Sequence, residues 1–148
     1  MSDGTVQSIE ISAPRQLVYD VAADLVVYPD WATSVKSVEV LETNRDGLPA
    51  RASFRVDAML KEISYELIYE HDAPELMSWT AVPGPDIEAM EGSYEFTETD
   101  DGHTSVVYAL QVETTLVIPG FLRKQAEKTL VSTALRGLKR RAEALASE

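Results

Sequence analysis

Apolar and polar side chains alternate through most of the chain, and turn residues break the alternation at regular intervals. In residues 50–58, Ala50, Ala52, Phe54, Val56 and Ala58 hold one phase, and Arg51, Ser53, Arg55 and Asp57 hold the other. Successive side chains of a strand point to opposite faces, so this pattern predicts a half-buried antiparallel strand with one wet face. Residues 61–71 repeat it, with Ile63, Tyr65, Leu67 and Tyr69 set against Glu62, Ser64, Glu66 and Glu70. The same period predicts strands over 5–12, Val35–Thr43, Leu76–Val82, Ile87–Glu98 and 104–115. Asn44-Arg45-Asp46-Gly47, His71-Asp72-Ala73-Pro74, Pro83-Gly84-Pro85-Asp86 and Asp100-Asp101-Gly102 supply turns. The last is a hairpin turn of the Asp-Gly kind.

Three stretches depart from period two. Ser12-Ala13-Pro14 opens a short helix, with Ser12 as cap, Pro14 at the start, and Val18, Val21 and Ala22 as its buried side. Asp24 caps a second short helix running through Tyr28-Pro29-Asp30-Trp31, where Pro29 and Trp31 mark a bend with an aromatic anchor. After Pro119, Leu122, Ala126, Leu130, Ala134, Leu138, Ala142 and Leu145 recur at three- and four-residue steps. That spacing predicts one helix over 119–146, with Leu122, Leu130 and Leu138 facing the sheet. Pro119 suits its first turn, and Arg136, Lys139, Arg140 and Arg141 lie toward its C-terminal end, where cations complement the dipole.

Consecutive strands joined by hairpins form an antiparallel meander, and helices at its ends make an α+β fold. A helix of about 28 residues spans roughly 42 Å but is only about 10 Å wide. It cannot cover seven strands spaced about 4.8 Å apart. The sheet therefore has to curl, which leaves an apolar space between sheet and helix, with the two short helices at its mouth.

Composition narrows the function classes. The 148 residues fit one domain over 1–148. No run approaches 18 uninterrupted apolar residues, so integral membrane association is not expected. The N-terminus lacks a basic region followed by an apolar core; no signal peptide is expected, and the cytoplasm is the default location. The absence of cysteine excludes disulfides, thiolate catalysis and cysteine-based metal sites. Residues 1–118 hold 22 acids and 6 bases and residues 119–148 hold 7 bases and 3 acids, so a +4 helix sits on a −16 body. This favours a helix face electrostatically matched to an acidic sheet over a membrane or acidic-partner role for Lys139-Arg140-Arg141. It disfavours nucleic acid, which needs a cationic footprint.

Catalytic constellations are sparse. His71 and His103 both fall beside turns and read as surface residues. No histidine pair or histidine–carboxylate cluster has zinc or iron spacing, so no metal and no cofactor is expected. Residues 83–86 lack the strand-turn-helix context of a phosphate cradle. Glu62, Glu66, Glu70, Glu95 and Glu113 fall on the wet phase and read as a solvated face. The inward phase is apolar or phenolic: Phe54, Tyr65, Tyr69, Trp79 and Met90, then Tyr94, Phe96 and Tyr108, with Leu122 from the helix. Trp31 belongs near the mouth. Most such residues are plain core in any protein, and Trp79, Tyr94 and Tyr108 stand out as ligand contacts because a buried phenol needs a hydrogen-bond partner. Gly92, amid larger residues, leaves room for a ligand or a strand kink.

The chain also resembles the START-like (SRPBCC) helix-grip superfamily, and within it the polyketide cyclase/dehydrase and coenzyme-Q-binding-protein-like branch. The residues that carry the resemblance are Ser12-Ala13-Pro14 through Val18-Tyr19-Asp20-Val21, Asp24 through Tyr28-Pro29-Asp30-Trp31, Leu76-Met77-Ser78-Trp79-Thr80, Glu91-Gly92-Ser93-Tyr94 and Ile118-Pro119-Gly120-Phe121-Leu122. The resemblance implies a curved sheet wrapped around the long helix and a deep ligand cavity, but no fixed chemistry. Cyclases of the superfamily steer a polyketide with pocket Arg, Tyr and Trp side chains. Here Arg51 and Arg55 fall on the outward phase unless a bulge reverses it.

Three readings follow. The first is a non-catalytic carrier or sensor of a hydrophobic or aromatic small molecule, such as a lipid, a polyketide or an isoprenoid quinone. The second is a polyketide cyclase, aromatase or dehydratase acting on a poly-β-keto intermediate, with Tyr65, Tyr94 or Tyr108 as orienting hydroxyls. The third is a protein-interaction or quinone-chaperone role. In each the chain is expected to be a monomer or weak homodimer.

Overall fold

The alternating stretches form seven strands in the computed structural model, which describes residues 4–32, 34–58, 61–114 and 119–147. In chain order the elements are β1 (Thr5–Ile11), α1 (Arg15–Ala23), a 3₁₀ helix (Leu25–Asp30), β2 (Val35–Thr43), β3 (Pro49–Ala58), β4 (Lys61–Asp72), β5 (Leu76–Val82), β6 (Ile87–Glu98), β7 (Thr104–Thr114) and α2 (Gly120–Ala146). Thr115, expected to close the last strand, and Ile118, expected before the helix, lie outside the described residues. The strands form one curved antiparallel sheet in the order β1-β7-β6-β5-β4-β3-β2, so β1 pairs with the last strand rather than the next.

Register puts the inward phase of neighbouring strands in line. Tyr69 pairs with Trp79, Trp79 with Gly92 and Gly92 with Leu110; Met77 pairs with Tyr94 and Tyr94 with Tyr108. The outward phase is charged, as the alternation predicts. Arg51 donates from Nε and Nη2 to Glu66 at 3.0 and 2.6 Å, and Arg55 lies 3.9 Å from Glu62. Both arginines therefore point away from the inner face. Edge strand β2 is irregular, with register shifts at three places along its pairing with β3, and it carries exposed Lys36, Glu39 and Glu42. Charges and bulges on an edge discourage pairing with another chain.

The helices depart from expectation in detail. Pro14 is the N-cap of α1 and no side chain caps it. Ser12 instead gives its backbone N–H to Glu143 at 2.8 Å, which ties the end of β1 to α2. Asp24 precedes the 3₁₀ helix without a side-chain cap bond. Because α2 continues to Ala146, no base lies in its last turn. Lys139 donates to the Glu10 carbonyl at 2.9 Å and to Glu143 at 2.7 Å, so it works as a tie to the sheet rather than as a dipole complement.

The apolar stripe predicted for α2 is the main correction. Leu138 is fully buried, but Leu122 and Leu130 are 45% and 40% exposed and are not packed into the core. Their spacing explains it. Steps of four residues advance about 40° around a helix with 3.6 residues per turn, so Leu122 and Leu138 lie about 160° apart. The buried ridge is Glu127, Val131, Leu135, Leu138 and Ala142, whose mixed steps hold one side. It packs on β1, β7 and α1. No helix among the described residues is long and apolar enough to cross a membrane.

Candidate functional site

Trp79 is the centre of the inner face because the register surrounds it with phenols. Its ring lies 5.9 Å from Tyr69, 5.3 Å from Tyr94 and 5.7 Å from Tyr108, and the last two are 4.5 Å apart. The space its indole fills exists because Gly92 has no side chain: a Cβ there would meet the indole at 2.4 Å. Phe54 stacks on its pairing partner Tyr65 at 5.4 Å and 11°. Tyr28 connects that pair to Trp31, with centroids 6.4 Å from Phe54 and 4.8 Å from Trp31. Pro29 and Asp30 close the 3₁₀ helix and place Trp31 against α2, where its ring and carbonyl occupy the space a side chain at Gly137 would need.

The hydroxyls divide into two groups. Tyr28 donates to the Ala22 carbonyl, and Tyr19 lies 2.7 Å from His71 Nδ1 and 3.1 Å from the Leu76 carbonyl. Among the described residues, Tyr65, Tyr69, Tyr94 and Tyr108 have no hydrogen-bond partner for their hydroxyls. The sealed, unpartnered side-chain polar atoms among the described residues are Arg15 Nε and Trp31 Nε1; none of the four phenol oxygens is one of them, so each retains some accessible surface. Burial pushes the phenols of Tyr69, Tyr94 and Tyr108 well above their ordinary range. Mutual repulsion adds to it: Tyr65, Tyr94 and Tyr108 raise Tyr69, and Tyr94, Tyr65 and Glu127 raise Tyr108. The rings of Tyr69, Tyr94 and Tyr108 lie 5.3–5.9 Å from that of Trp79, and Tyr65 is near enough to bear on Tyr69 and Tyr108. At neutral pH these hydroxyls are hydrogen-bond donors, not bases.

Of the residues expected to line a cavity, the structure gathers Phe54, Tyr65, Tyr69, Trp79, Tyr94 and Tyr108 into this cluster, with Met90 buried on the same face and Trp31 at its helical side. Phe96 lies toward α1, 5.0 Å from Tyr19 and 5.9 Å from Tyr94. Leu122 sits exposed on the first turn of α2. On that helix Ala126, Leu130 and Thr133 share a side with Gly137, which meets Trp31.

Two features escape the sequence reading. Glu127 is a buried carboxylate that accepts from Thr5 Oγ1 at 2.6 Å and from the Val112 N–H at 3.3 Å, and so pins α2 to β1 and β7. Its signal is the apolar spacing of Val131, Leu135, Leu138 and Ala142, which extends back to it. His71 is a half-buried strand residue rather than a surface turn residue. Nε2 lies 2.6 Å from the Pro49 carbonyl, so it carries the proton, and the ring stacks at 13° on Tyr69. A trough of about 360 Å³ lies on the opposite face of the sheet, over Ser78, Ser93 and Ala109. Its walls include the Glu91 carboxylate and Val6, and at Gly92 it reaches the back of Trp79, whereas the inner face gathers the phenols around the other side of that indole.

The profile of the family described as polyketide cyclase / dehydrase and lipid transport matches residues 4–147. No curated protein matches the chain in sequence. Among solved structures, a START superfamily protein from Mycobacterium smegmatis is 19% identical with a TM-score of 0.87, covering 96% of this chain and 98% of its own. The ZhuI aromatase/cyclase from Streptomyces sp. R1128 is 16% identical with a TM-score of 0.84, covering 97% and 94%. A protein from Thermus thermophilus is 28% identical with a TM-score of 0.82, covering 96% and 98%. The first two show a shared fold.

Proposed function

We propose, because the chain belongs to the polyketide cyclase / dehydrase and lipid transport family, that its inner face binds an uncharged hydrophobic small molecule bearing several accepting oxygens. The observation that carries this reading is the set of unpartnered hydroxyls of Tyr69, Tyr94 and Tyr108, whose rings surround Trp79, with that of Tyr65 close enough to bear on Tyr69 and Tyr108. A donor fully buried without an acceptor costs on the order of 1–3 kcal/mol, and these hydroxyls, which keep some accessible surface, carry part of that cost. Carbonyl, ether or hydroxyl oxygens on a ligand would recover that cost, and the rings around them supply apolar area. A carboxylate or phosphate is disfavoured. Arg51 and Arg55 point outward, and Glu127 is the charged group that bears on Tyr108.

Binding without transformation is favoured over cyclisation because phenols raised by burial hold their protons, and His71, whose ring stacks on Tyr69, has both nitrogens engaged by Tyr19 and the Pro49 carbonyl. Native mass spectrometry of freshly purified protein tests the reading, with a co-purifying neutral small molecule as the expected result. An environment-sensitive apolar dye should bind at about micromolar level, roughly 8 kcal/mol, and that molecule should displace it. Turnover of a poly-β-keto chain that is lost in Tyr94→Phe would replace binding with cyclisation.

A further inference from the structure

We propose that Glu10, Asp101 and His103 form a surface site for a divalent transition-metal ion, on the outer side of the sheet and away from the phenol cluster. Nothing in the sequence spacing suggests it, because Glu10 lies 93 residues from His103. Strand pairing brings them together. Glu10 pairs with Ser105 across the β1–β7 ladder, so His103, two residues before Ser105, is its diagonal neighbour on the same face. Asp101 comes from the β6–β7 turn, whose shape is set by Gly102 at φ 80° and by bonds from Thr99 N to the His103 carbonyl and from Gly102 N to the Thr99 carbonyl.

The distances are those of a coordination shell. His103 Nδ1 lies 3.3 Å from Glu10 Oε2 and 3.4 Å from Asp101 Oδ2, and the three ligand atoms fall within 4.8 Å of one another. Metal–ligand bonds of about 2.0–2.2 Å place neighbouring ligand atoms about 3.0 Å apart in an octahedron and about 3.4 Å apart in a tetrahedron. Little movement is needed to admit an ion. Asp101 is also oriented for it: Oδ1 accepts from Thr99 Oγ1, which leaves Oδ2 facing the imidazole. Such an outer-shell bond fixes a ligating carboxylate. One nitrogen and two carboxylates suit zinc, nickel, cobalt or copper better than magnesium or calcium, which prefer all-oxygen sets. Three protein ligands leave the remaining positions to water.

The charges around the site favour a cation. Glu10 and Asp101 bring two negative charges; nearby Arg15 is engaged by Glu98 at 3.6 Å, and Lys139 is held by the Glu10 carbonyl and Glu143. A bound ion would join the end of β1 to the β6–β7 turn.

Zinc titrated into the tag-free full chain tests the proposal, with binding followed by calorimetry and by NMR of the two histidine rings. Expected are one ion per chain at micromolar affinity and a shift of the His103 ring signals with those of His71 unmoved. His103→Gln and Asp101→Asn should each weaken binding by roughly tenfold or more. The proposal is overturned if His103→Gln binds zinc as well as the parent, if the His71 signals move instead, or if magnesium competes equally. It is also overturned if no binding appears at millimolar zinc.

Discussion

The indole of Trp79 lies across Gly92, so close that an added Cβ would stand 2.4 Å from Cε2 and Cζ2 and 2.5 Å from Nε1. The two residues are register partners on β5 and β6, so the strand pairing itself fixes the ring. Gly92→Ala must drive the indole off the strand toward Tyr69 and Tyr108. The expected result is a loss of about 1–3 kcal/mol by denaturant unfolding, a shift in tryptophan emission and weaker dye binding. An alanine variant with unchanged emission would show that the strand does not hold Trp79.

Tyr94→Phe separates binding from folding. The hydroxyl has no partner among the described residues, while the ring touches Trp79, Phe96 and Tyr108. Stability should stay within about 0.5 kcal/mol of the parent, and affinity for an oxygenated ligand should fall by roughly 0.5–1.5 kcal/mol. Tyr28→Phe is the contrast, because it removes a donor bonded to the Ala22 carbonyl and should lower stability. Equal stability losses in the two variants would remove the distinction.

Alkaline pH should unfold the protein in one step. All six tyrosines are raised, chiefly by burial, Tyr19 to about 12 and the others also upward. Above pH 10 the unfolded chain releases phenolic protons that the folded chain retains. The unfolded state then binds fewer protons, and stability falls as pH rises. Below pH 10 this contribution is fully present. Phenolate absorbance at high pH should appear together with loss of far-ultraviolet circular dichroism. A tyrosine titrating near pH 10 in the folded protein would contradict the burial of these rings.

Leu138→Ala should cost about 2–5 kcal/mol, since it empties a fully buried site. Leu130→Ala, at a position 40% exposed, should cost less than about 1 kcal/mol. Thermal unfolding of the pair checks which side of α2 is anchored, and a larger loss at Leu130 would reverse the assignment.

The strands were legible because each is wet on one face, which writes the alternation directly into residues such as Phe54-Arg55-Val56 and Tyr65-Glu66-Leu67. The helix was legible as an element but not in its orientation. Alanine and leucine occur on two sides of α2, and a stripe of four-residue steps joins them although it winds around the axis. Glu127 was obscured because a charge reads as solvent-facing unless its partners, Thr5 and Val112, are known. His71 is hidden for a related reason: its partner Tyr19 is 52 residues away on α1, and strand alternation says nothing of which helix residue will meet it. Phenols and indoles announced themselves by chemical type, whereas the gathering of their rings depends on register, which spacing along one strand does not carry.

The two halves of α2 differ in how firmly they are held. Val131, Leu135, Leu138 and Ala142 are at most 2% exposed, while the preceding turns depend on Glu127 and on Lys124 bonded to the Gly4 carbonyl. Amide exchange should therefore be graded along a single helix. Residues 120–126 should exchange through local fraying, and residues 131–142 only when the whole chain unfolds. If the inner face holds a molecule as proposed, fraying of residues 120–126 would offer it an exit that leaves the core intact. The bonds from Thr5 and Val112 to Glu127, with Lys124 bonded to the Gly4 carbonyl and 3.7 Å from Glu127, would then govern its escape, so Glu127→Gln should shorten the residence time of such an occupant more than it lowers the melting temperature.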